Sequence, residues 1–570
     1  MNAMNYRSPA YKTTIETDVF VEMRDGVKLA ADLFRPEAKG KFPALLSMSP
    51  YGKGQQSLRA RPQPPTSPIH TQVRTAEAGD PFYFTSKGYV HVIADCRGSG
   101  HSEGEYLGWM SKQEAEDGYD MIEWIAEQPW CNGKVGMVGI SYFGTIQLHI
   151  AAEQPPHLKA IMPWNGVADF YREATHHGGI LETCFLILYN YMGAEVSSSS
   201  IQKSMSPEKF KAMIEKAKKD PDLVAYPQLW NTVDCFRKNP YFFDVIMNPT
   251  DGPFYWERSA YKSYDKIKVP FYAHSGWWAY GHMHLIGSFN NYLEIKTPKK
   301  LDIEPPIDST HPLTDEFNAE ALRWFDYWLK GIDTGIMKEP PIRLWVNGIN
   351  RYRYEKEWPL ARTVWTKYYL RNCQSLSTKA ETYVSEPDSF VQEPIFATSA
   401  INSLKYFTPS LIEDTEVTGP IAFYLYASID QNDTNWMVSL TDVAPDGASI
   451  ELTQGFLKAS HRGLDRRKSK PWRPYQSHVN PELVNPGQIY DYALELAPTS
   501  NLFKAGHQIL LEIYSMDHPG RPKGSRILHG EHHHPWHQCS GKTVVHTIYH
   551  NKDYPSYVLL PIIPRKRKKS

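Results

Sequence analysis

The chain has no apolar run approaching the roughly 18 residues needed to cross a bilayer, and its opening stretch, MNAMNYRSPAYKTTIETDVF, contains no apolar leader segment. The six cysteines (Cys96, Cys131, Cys184, Cys235, Cys373, Cys539) stand far apart and form no CxxC pair. That spacing argues against a disulfide framework and against a thiolate zinc site. Charge of one sign is also missing: 62 Lys and Arg face 63 Asp and Glu, for a net charge of −1. Nothing electrostatic therefore points to nucleic acid or a membrane surface as partner. The basic tail, PRKRKKS, reads as a solvated end. We find no internal repeat and no long low-complexity segment. A reduced, cytoplasmic protein is the expectation.

What is present is length and aromatic content. A chain of 570 residues exceeds what one compact core accommodates, so two or three domains are expected. Its 16 Trp and 35 Tyr are mostly assigned to cores and domain interfaces. Over residues 1–168 short apolar runs alternate with helical patterns, which predicts βαβ units and a largely parallel sheet. DVFVEMRDGVKLAADLFRP reads as two strands joined at Asp25-Gly26. FPALLSMSPYG and GYVHVIADCRG read as buried strands. Met121, Ile122 and Ile125 recur at helical spacing. Residues 169–261 lose the strand rhythm and read as a helical insertion, with SPEKFKAMIEKAKKD opening on a helix start signal. A core strand returns in YDKIKVPFYAHSGWW, and residues 262–348 read as the second part of the core. From 349 to 570, short alternating strands with turn signals predict a β-sandwich or jelly roll.

One short stretch carries the chemistry. GKVGMVGI reads as a buried strand, Ser141 follows, and a helix is expected from about Tyr142 to Glu153. A serine between strand and helix, flanked by Gly139 and Gly144, fits a nucleophile elbow. The sharp turn lifts Oγ above the sheet, and the amides of the following helix face the place where an oxyanion would form. The second glycine falls three residues after the serine rather than two, so the general motif is met imperfectly.

Around this elbow stand MRDGVKLAADLFRP, SPYGKG, ADCRGSGHSEGEY, EDGYDMIEWIAEQPWCNGKVGMVGISYFG, LRWFDYWLKGIDTGIMKEPPIRLWVNG, DTEVTGP and VSLTDVAPDG. On these segments the chain resembles, over nearly its full length, the cocaine esterase-like (CocE/NonD) family, related to the X-Pro dipeptidyl-peptidases (S15) and α-amino acid ester hydrolases. The resemblance implies an α/β fold: an α/β-hydrolase core with an inserted helical cap and a C-terminal jelly-roll domain. It implies that Ser141 is the nucleophile. Tyr51, in SPYGKG, would be the side-chain oxyanion donor beside the Tyr142 N–H. A phenol suits that role because it donates strongly without carrying charge. Asp95 and Arg97 would organise a loop near the nucleophile.

The resemblance breaks at the partners of the serine. A hydroxyl needs a base in hydrogen-bond reach and a group that orients that base. Where the family has its acid, SGWWAYGHMH places Ala279; where the family has its histidine, IEPPIDSTHP places Asp308. Three readings stay open. The triad is rebuilt from His311, His282 or His284, with Asp308 or Asp315 as the orienting acid. Alternatively, Tyr51 and the oxyanion hole serve a lyase, cyclase or isomerase step in which a histidine moves a proton. The third reading is a pocket that binds without catalysing. Trp277 and Trp278, in the same loop as Ala279, are candidate substrate contacts.

The late stretch HGEHHHPWHQCSG offers His532, His533, His534, His537 and Cys539 as ligands. Adjacent histidines in a strand point to opposite faces, which disfavours convergence on one ion, so no metal is assigned. No cofactor is expected. The expected partner is a small-molecule substrate, with neither nucleic acid nor membrane, and a homodimer is compatible with the sequence. The reading favoured is a serine-dependent hydrolase or acyl-transfer enzyme acting on a small ester or amide.

Overall fold

The structure, a computed structural model, describes residues 11–56, 77–183, 196, 198–277, 283–306, 315–398, 400–517 and 537–565. Its first unit is built on a ten-stranded sheet. The strands are β1 (Thr13–Glu22), β2 (Lys28–Pro36), β3 (Phe42–Ser49), β4 (Val90–Asp95), β5 (Cys131–Ile140), β6 (Leu158–Trp164), β7 (Phe271–Gly276), β8 (Lys299–Glu304), β9 (Ile342–Val346) and β10 (Arg351–Glu355). Their spatial order is β1-β2-β4-β3-β5-β6-β7-β8-β9-β10. The run from β4 to β9 is parallel. The flanking β1–β2, β2–β4 and β9–β10 pairs are antiparallel.

Strands buried on both faces need apolar residues at every position, which is why β4 and the end of β5 read as continuous hydrophobic runs. Successive residues then serve opposite faces. Leu46, Met137, Ile161 and Phe271 join the core cluster on one side, while Leu45, Val138, Met162 and Tyr272 join the cluster on the other. Each such side chain contributes about 1.5–3 kcal/mol on burial. The Asp25-Gly26 turn is present between β1 and β2, with Gly26 at φ +86°.

Between β6 and β7 the chain leaves the sheet. Helices Ser200–Ser204, Pro207–Ala217, Pro221–Val224, Pro227–Asp234, Pro240–Ile246 and Pro253–Trp256 follow one another there. Most start from a proline at the first turn, and Ser199, Ser206, Asp220 and Asn239 cap with their side chains. The insertion also carries a small hairpin, His176–His177 against Ile180–Leu181.

The turn at Gly348 (φ +81°) is a hairpin inside the first sheet, because Arg351–Glu355 pairs antiparallel with Ile342–Val346. A boundary drawn at residues 348/349 therefore cuts β10 from its sheet. The second unit begins with Val364–Arg371. Its eleven strands form one sheet that closes on itself, as Thr415–Ile429 pairs with both Tyr490–Phe503 and Tyr557–Ile563. What reads from sequence as a jelly roll is, in its hydrogen bonding, this single closing sheet. Leu425, Trp436, Leu440, Leu496 and Leu511 lie in its core.

Candidate active site

The elbow forms where β5 ends. Ser141 sits at φ 57°, ψ −112°, a region costly for a side-chain-bearing residue, and helix Tyr142–Ala152 starts at the next position. Backbone bonds clamp it from three sides. Ile140 N–H donates to the Glu77 carbonyl at 2.8 Å, Ser141 N–H to the Trp164 carbonyl at 2.9 Å, and Thr145 N–H to the Ser141 carbonyl at 2.8 Å. Gly139 is at φ +138°, and a Cβ there would stand 2.4 Å from the Phe143 Cβ. Gly144, the displaced glycine of the motif, lets the helix rest on β6: a Cβ would be 2.3 Å from the Trp164 carbonyl oxygen.

Of the histidines weighed from sequence, His284 reaches the serine. Its Nε2 lies 3.4 Å from Ser141 Oγ, long for such a bond. His284 is the N-cap of helix Leu285–Glu294 and is buried. Burial pushes its imidazole down to about 3, and a backbone hydrogen bond with Asn165 opposes that only in part. The ring is thus neutral at ordinary pH. Asn165 itself is at φ 53°; its N–H donates to the His274 carbonyl at 2.7 Å, and its side-chain oxygen accepts the Ser275 hydroxyl at 2.8 Å. Sequence reasoning missed Asn165 and Ser275. His282, His311, Asp308, Ala279 and Trp278 lie outside the described residues.

Tyr51 follows β3 and is 8% exposed, its ring edge-on to Tyr142 (centroids 5.5 Å apart) and Phe143 (6.4 Å). The next residues anchor its loop: Lys53 N–H donates to Asp95 at 2.6 Å, and the Lys53 ammonium reaches Asp18 and Asp32 at 2.7 and 2.8 Å. Asp95 also accepts His101 N–H at 3.0 Å, and Arg97 is held by Asp117 and Asp25. Both residues organise the loops around the site. The Tyr142 side chain points away from the serine, with its hydroxyl on the Glu114 carboxyl and 3.2 Å from the Tyr106 hydroxyl. Glu114, which the sequence reading did not single out, is pushed up to about 7 by burial. Trp277 is fully packed: it is 1% exposed, and its indole N–H donates to the Trp345 carbonyl at 2.7 Å.

Beneath the elbow, the His274 ring packs at a tilt against Trp164, centroids 4.2 Å apart, and faces Asp302 and Glu304 at 3.7 and 3.2 Å. The ligand atoms of these three converge as a metal set would. Arg343, however, holds both Asp302 oxygens, at 2.9 and 2.5 Å. With His274 protonated, two carboxylates and two cations balance without an ion. Of the late histidine stretch, His532, His533 and His534 lie outside the described residues. His537 spends both ring nitrogens on Asp517 and His177, and Cys539 Sγ donates to the His537 carbonyl at 3.4 Å. Neither is arranged around a shared ion.

A serine on a strained strand-to-helix turn, a neutral histidine beside it and a mostly parallel sheet beneath it are the framework of enzymes that work through an activated hydroxyl. Residues 25–307 match the family model described as X-Pro dipeptidyl-peptidase (S15 family), and residues 334–559 that of the X-Pro dipeptidyl-peptidase C-terminal non-catalytic domain. The cocaine esterase of Rhodococcus sp. (strain MB1 Bresler) is 28% identical, with 97% of this chain and 99% of that protein covered. A CocE/NonD family hydrolase from Staphylococcus aureus superposes with a TM-score of 0.76 at 24% identity, covering 97% of this chain and 94% of that one. An α-amino acid ester hydrolase superposes at 0.71 with 18% identity, covering 99% and 100%. The two X-Pro dipeptidyl-peptidase models together match most of the chain, which belongs to that S15 family of hydrolytic enzymes. Among the described residues, no helix is long and apolar enough to cross a membrane.

Proposed function

We propose that this protein is a serine-dependent hydrolase acting on a small-molecule ester or amide, with Ser141 as nucleophile and His284 as its base. The observation that carries the reading is the 3.4 Å approach of His284 Nε2 to the hydroxyl of a serine in a strained elbow. The domain reading that goes with it is an α/β-hydrolase core, a helical cap and a C-terminal β domain of jelly-roll type.

In this mechanism neutral His284 takes the hydroxyl proton as Ser141 Oγ attacks the carbonyl carbon. The tetrahedral oxyanion faces the Tyr142 N–H and the Tyr51 hydroxyl, whose preformed dipoles need no reorganisation. Protonated His284 then gives its proton to the leaving alcohol or amine, and water repeats the cycle on the acyl-enzyme. An imidazole lowered to about 3 by burial is a poor base towards water. It becomes a sufficient one where the imidazolium is paired at once with the developing oxyanion, so proton transfer is tied to bound substrate.

Intact mass after incubation with a fluorophosphonate tests this. One adduct is expected on the wild type and none on Ser141→Ala. His284→Gln should label about a hundredfold or more slower, and Tyr51→Phe about 100- to 1000-fold slower. No adduct on folded wild type sinks the acyl-enzyme mechanism.

A further inference from the structure

A cavity of about 350 Å3 lies where three parts of the chain meet, and none of Ser141, Tyr51 and His284 is among its described lining residues. One wall is helix Leu285–Glu294, which presents Ile286, Asn290 and Glu294 at successive turns of one face. A second is the stretch Ala260–Lys266, with Tyr261 and Tyr264. The third comes from the C-terminal unit. There the chain folds back as a short hairpin, Leu464 bridging Gln476 and Lys470 bridging Arg473, and it contributes Lys468, Arg473 and Tyr475 to the wall. The hairpin is braced on its own unit: Trp472 stacks on Trp365 with centroids 5.9 Å apart, and the Tyr424 hydroxyl donates to the Pro471 carbonyl at 2.8 Å. The wall is therefore preformed, as ligand sites usually are.

Two guanidinium groups in the cavity are used very differently. Arg172 is a structural post. Its Nη1 donates to Asp169 and Asp251 at 2.8 Å each, and its Nη2 to the Gln476 and Ser477 carbonyls at 3.0 Å each. Arg473 has the same set of N–H donors, but among the described residues its side chain makes a single hydrogen bond, from Nη2 to the Asn290 side-chain oxygen at 2.8 Å. Its Nε stands 3.3 Å from Glu495 Oε1 without forming one. Lys468 is exposed, and its ammonium lies 4.7 Å from the Tyr475 ring centre and 5.9 Å from that of Tyr261. Among the described residues no carboxylate pairs with it.

The buried acids of the walls are engaged elsewhere. Asp169 accepts Arg172 and two backbone N–H groups. Glu173 accepts the Ala168 and Asp169 N–H groups at 2.7 and 3.2 Å and the Asn290 amide at 2.8 Å, and burial pushes its carboxyl up to about 8. Because the Asn290 amide donates to Glu173, its oxygen is the end that faces Arg473, and the guanidinium is held in place by it. Burial also raises the Glu495 carboxyl, against the pull of Arg473.

A planar guanidinium with unspent donors and a neighbouring ammonium suit a carboxylate, which takes parallel bonds from the one and charge from the other. The acids nearby make a dianion such as a phosphate monoester a poorer fit than a monoanion. The three tyrosine rings suit a flat apolar body. We propose that this cavity binds a small aromatic carboxylate, with its anionic end on Arg473 and Lys468 and its ring among Tyr261, Tyr264 and Tyr475. The site is separate from the serine–histidine pair and stands whether or not Ser141 acts as a nucleophile.

Calorimetric titration of the full chain with phenylacetate tests it. One saturable site is expected in the wild type, with the same affinity in Ser141→Ala and Tyr51→Phe. Arg473→Gln should weaken binding about 10- to 100-fold, as the loss of charge-assisted hydrogen bonds does. Lys468→Met, at an exposed position, should weaken it about 2- to 5-fold, and Tyr475→Leu about 3- to 10-fold. Should Arg473→Gln not fold, Lys468→Met decides, because the Lys468 ammonium makes no hydrogen bond among the described residues. Benzylamine, with the same ring and the opposite charge, should not compete. No heat with millimolar phenylacetate overturns the proposal, and so does an affinity unmoved in Lys468→Met and Arg473→Gln. Binding that weakens in Tyr51→Phe instead places the ligand in the oxyanion hole and overturns it, and binding of benzylamine in preference to phenylacetate overturns the sign of the site.

Discussion

The Trp164 carbonyl oxygen accepts the Ser141 N–H at 2.9 Å, and it lies 2.3 Å from where a Cβ on Gly144 would stand. One backbone atom thus fixes the height of the nucleophile and the approach of the helix behind it. A methyl group at 144 must push the helix off β6 or break the bond to Ser141.

Gly144→Ala is therefore expected to destabilise the protein by about 1–3 kcal/mol, the usual cost of overpacking, and to slow fluorophosphonate labelling with it. Gly463 has nothing within 4 Å of an added Cβ, so Gly463→Ala serves as control and should change neither. Urea denaturation and labelling rate check both. A Gly144→Ala protein as stable and as reactive as the wild type would show that the carbonyl does not hold the elbow.

Much of this elbow was legible in the sequence because its cause is local. A run buried on both faces, a small residue, a serine and a helix pattern occur within about a dozen positions, and the glycine at 144 states the packing need directly. The sheet was legible for the same reason. Gly348 misled because a turn signal does not say whether the next strand returns to the same sheet, and β10 does. His284 was named beside His282 and His311, but residue spacing cannot tell which side of a loop reaches Ser141, 143 positions earlier. Trp277 looked available because it neighbours the site in sequence; its indole N–H is spent on Trp345. The least legible feature is the His177–His537 bond, which joins residues 360 positions apart. No local pattern announces it.

Glu77 offers a test of buried charge next to the elbow. Its carbonyl holds the Ile140 N–H, while burial pushes its carboxyl up from 4.5 to about 8. Among the described residues its Oε2 has no hydrogen-bond partner. Below pH 4.5 both folded and unfolded chains keep this proton, so the group costs nothing. Between pH 4.5 and about 8 only the folded chain keeps it, so stability falls as pH rises. Above that range the penalty stays constant, on the order of a few kcal/mol. Glu77→Gln removes the titration. Its melting temperature relative to the wild type should climb from pH 5 to pH 8, and curves that stay parallel would mean that Glu77 ionises freely in the folded protein.

His274 should do the opposite of an ordinary buried histidine. Desolvation is the largest influence and pulls its value down, but the Glu304 and Asp302 carboxylates outweigh it and leave the imidazole raised above 6.5. A raised cation stabilises the fold fully below the unfolded value of 6.5, and that contribution is lost as pH climbs through the folded value. Arg343 alone cannot balance both carboxylates, so losing the proton leaves one negative charge uncompensated in the interior. The expected result is that the melting temperature of the wild type falls towards that of His274→Gln as pH rises from 6 to 9. Wild type and variant moving in parallel would show that the imidazole is neutral throughout. The consequence reaches the proposed nucleophile, because the His274 ring supports Trp164 at 4.2 Å and the Trp164 carbonyl holds Ser141. Labelling of Ser141 should therefore be slower in His274→Gln even at a pH where both proteins are fully folded.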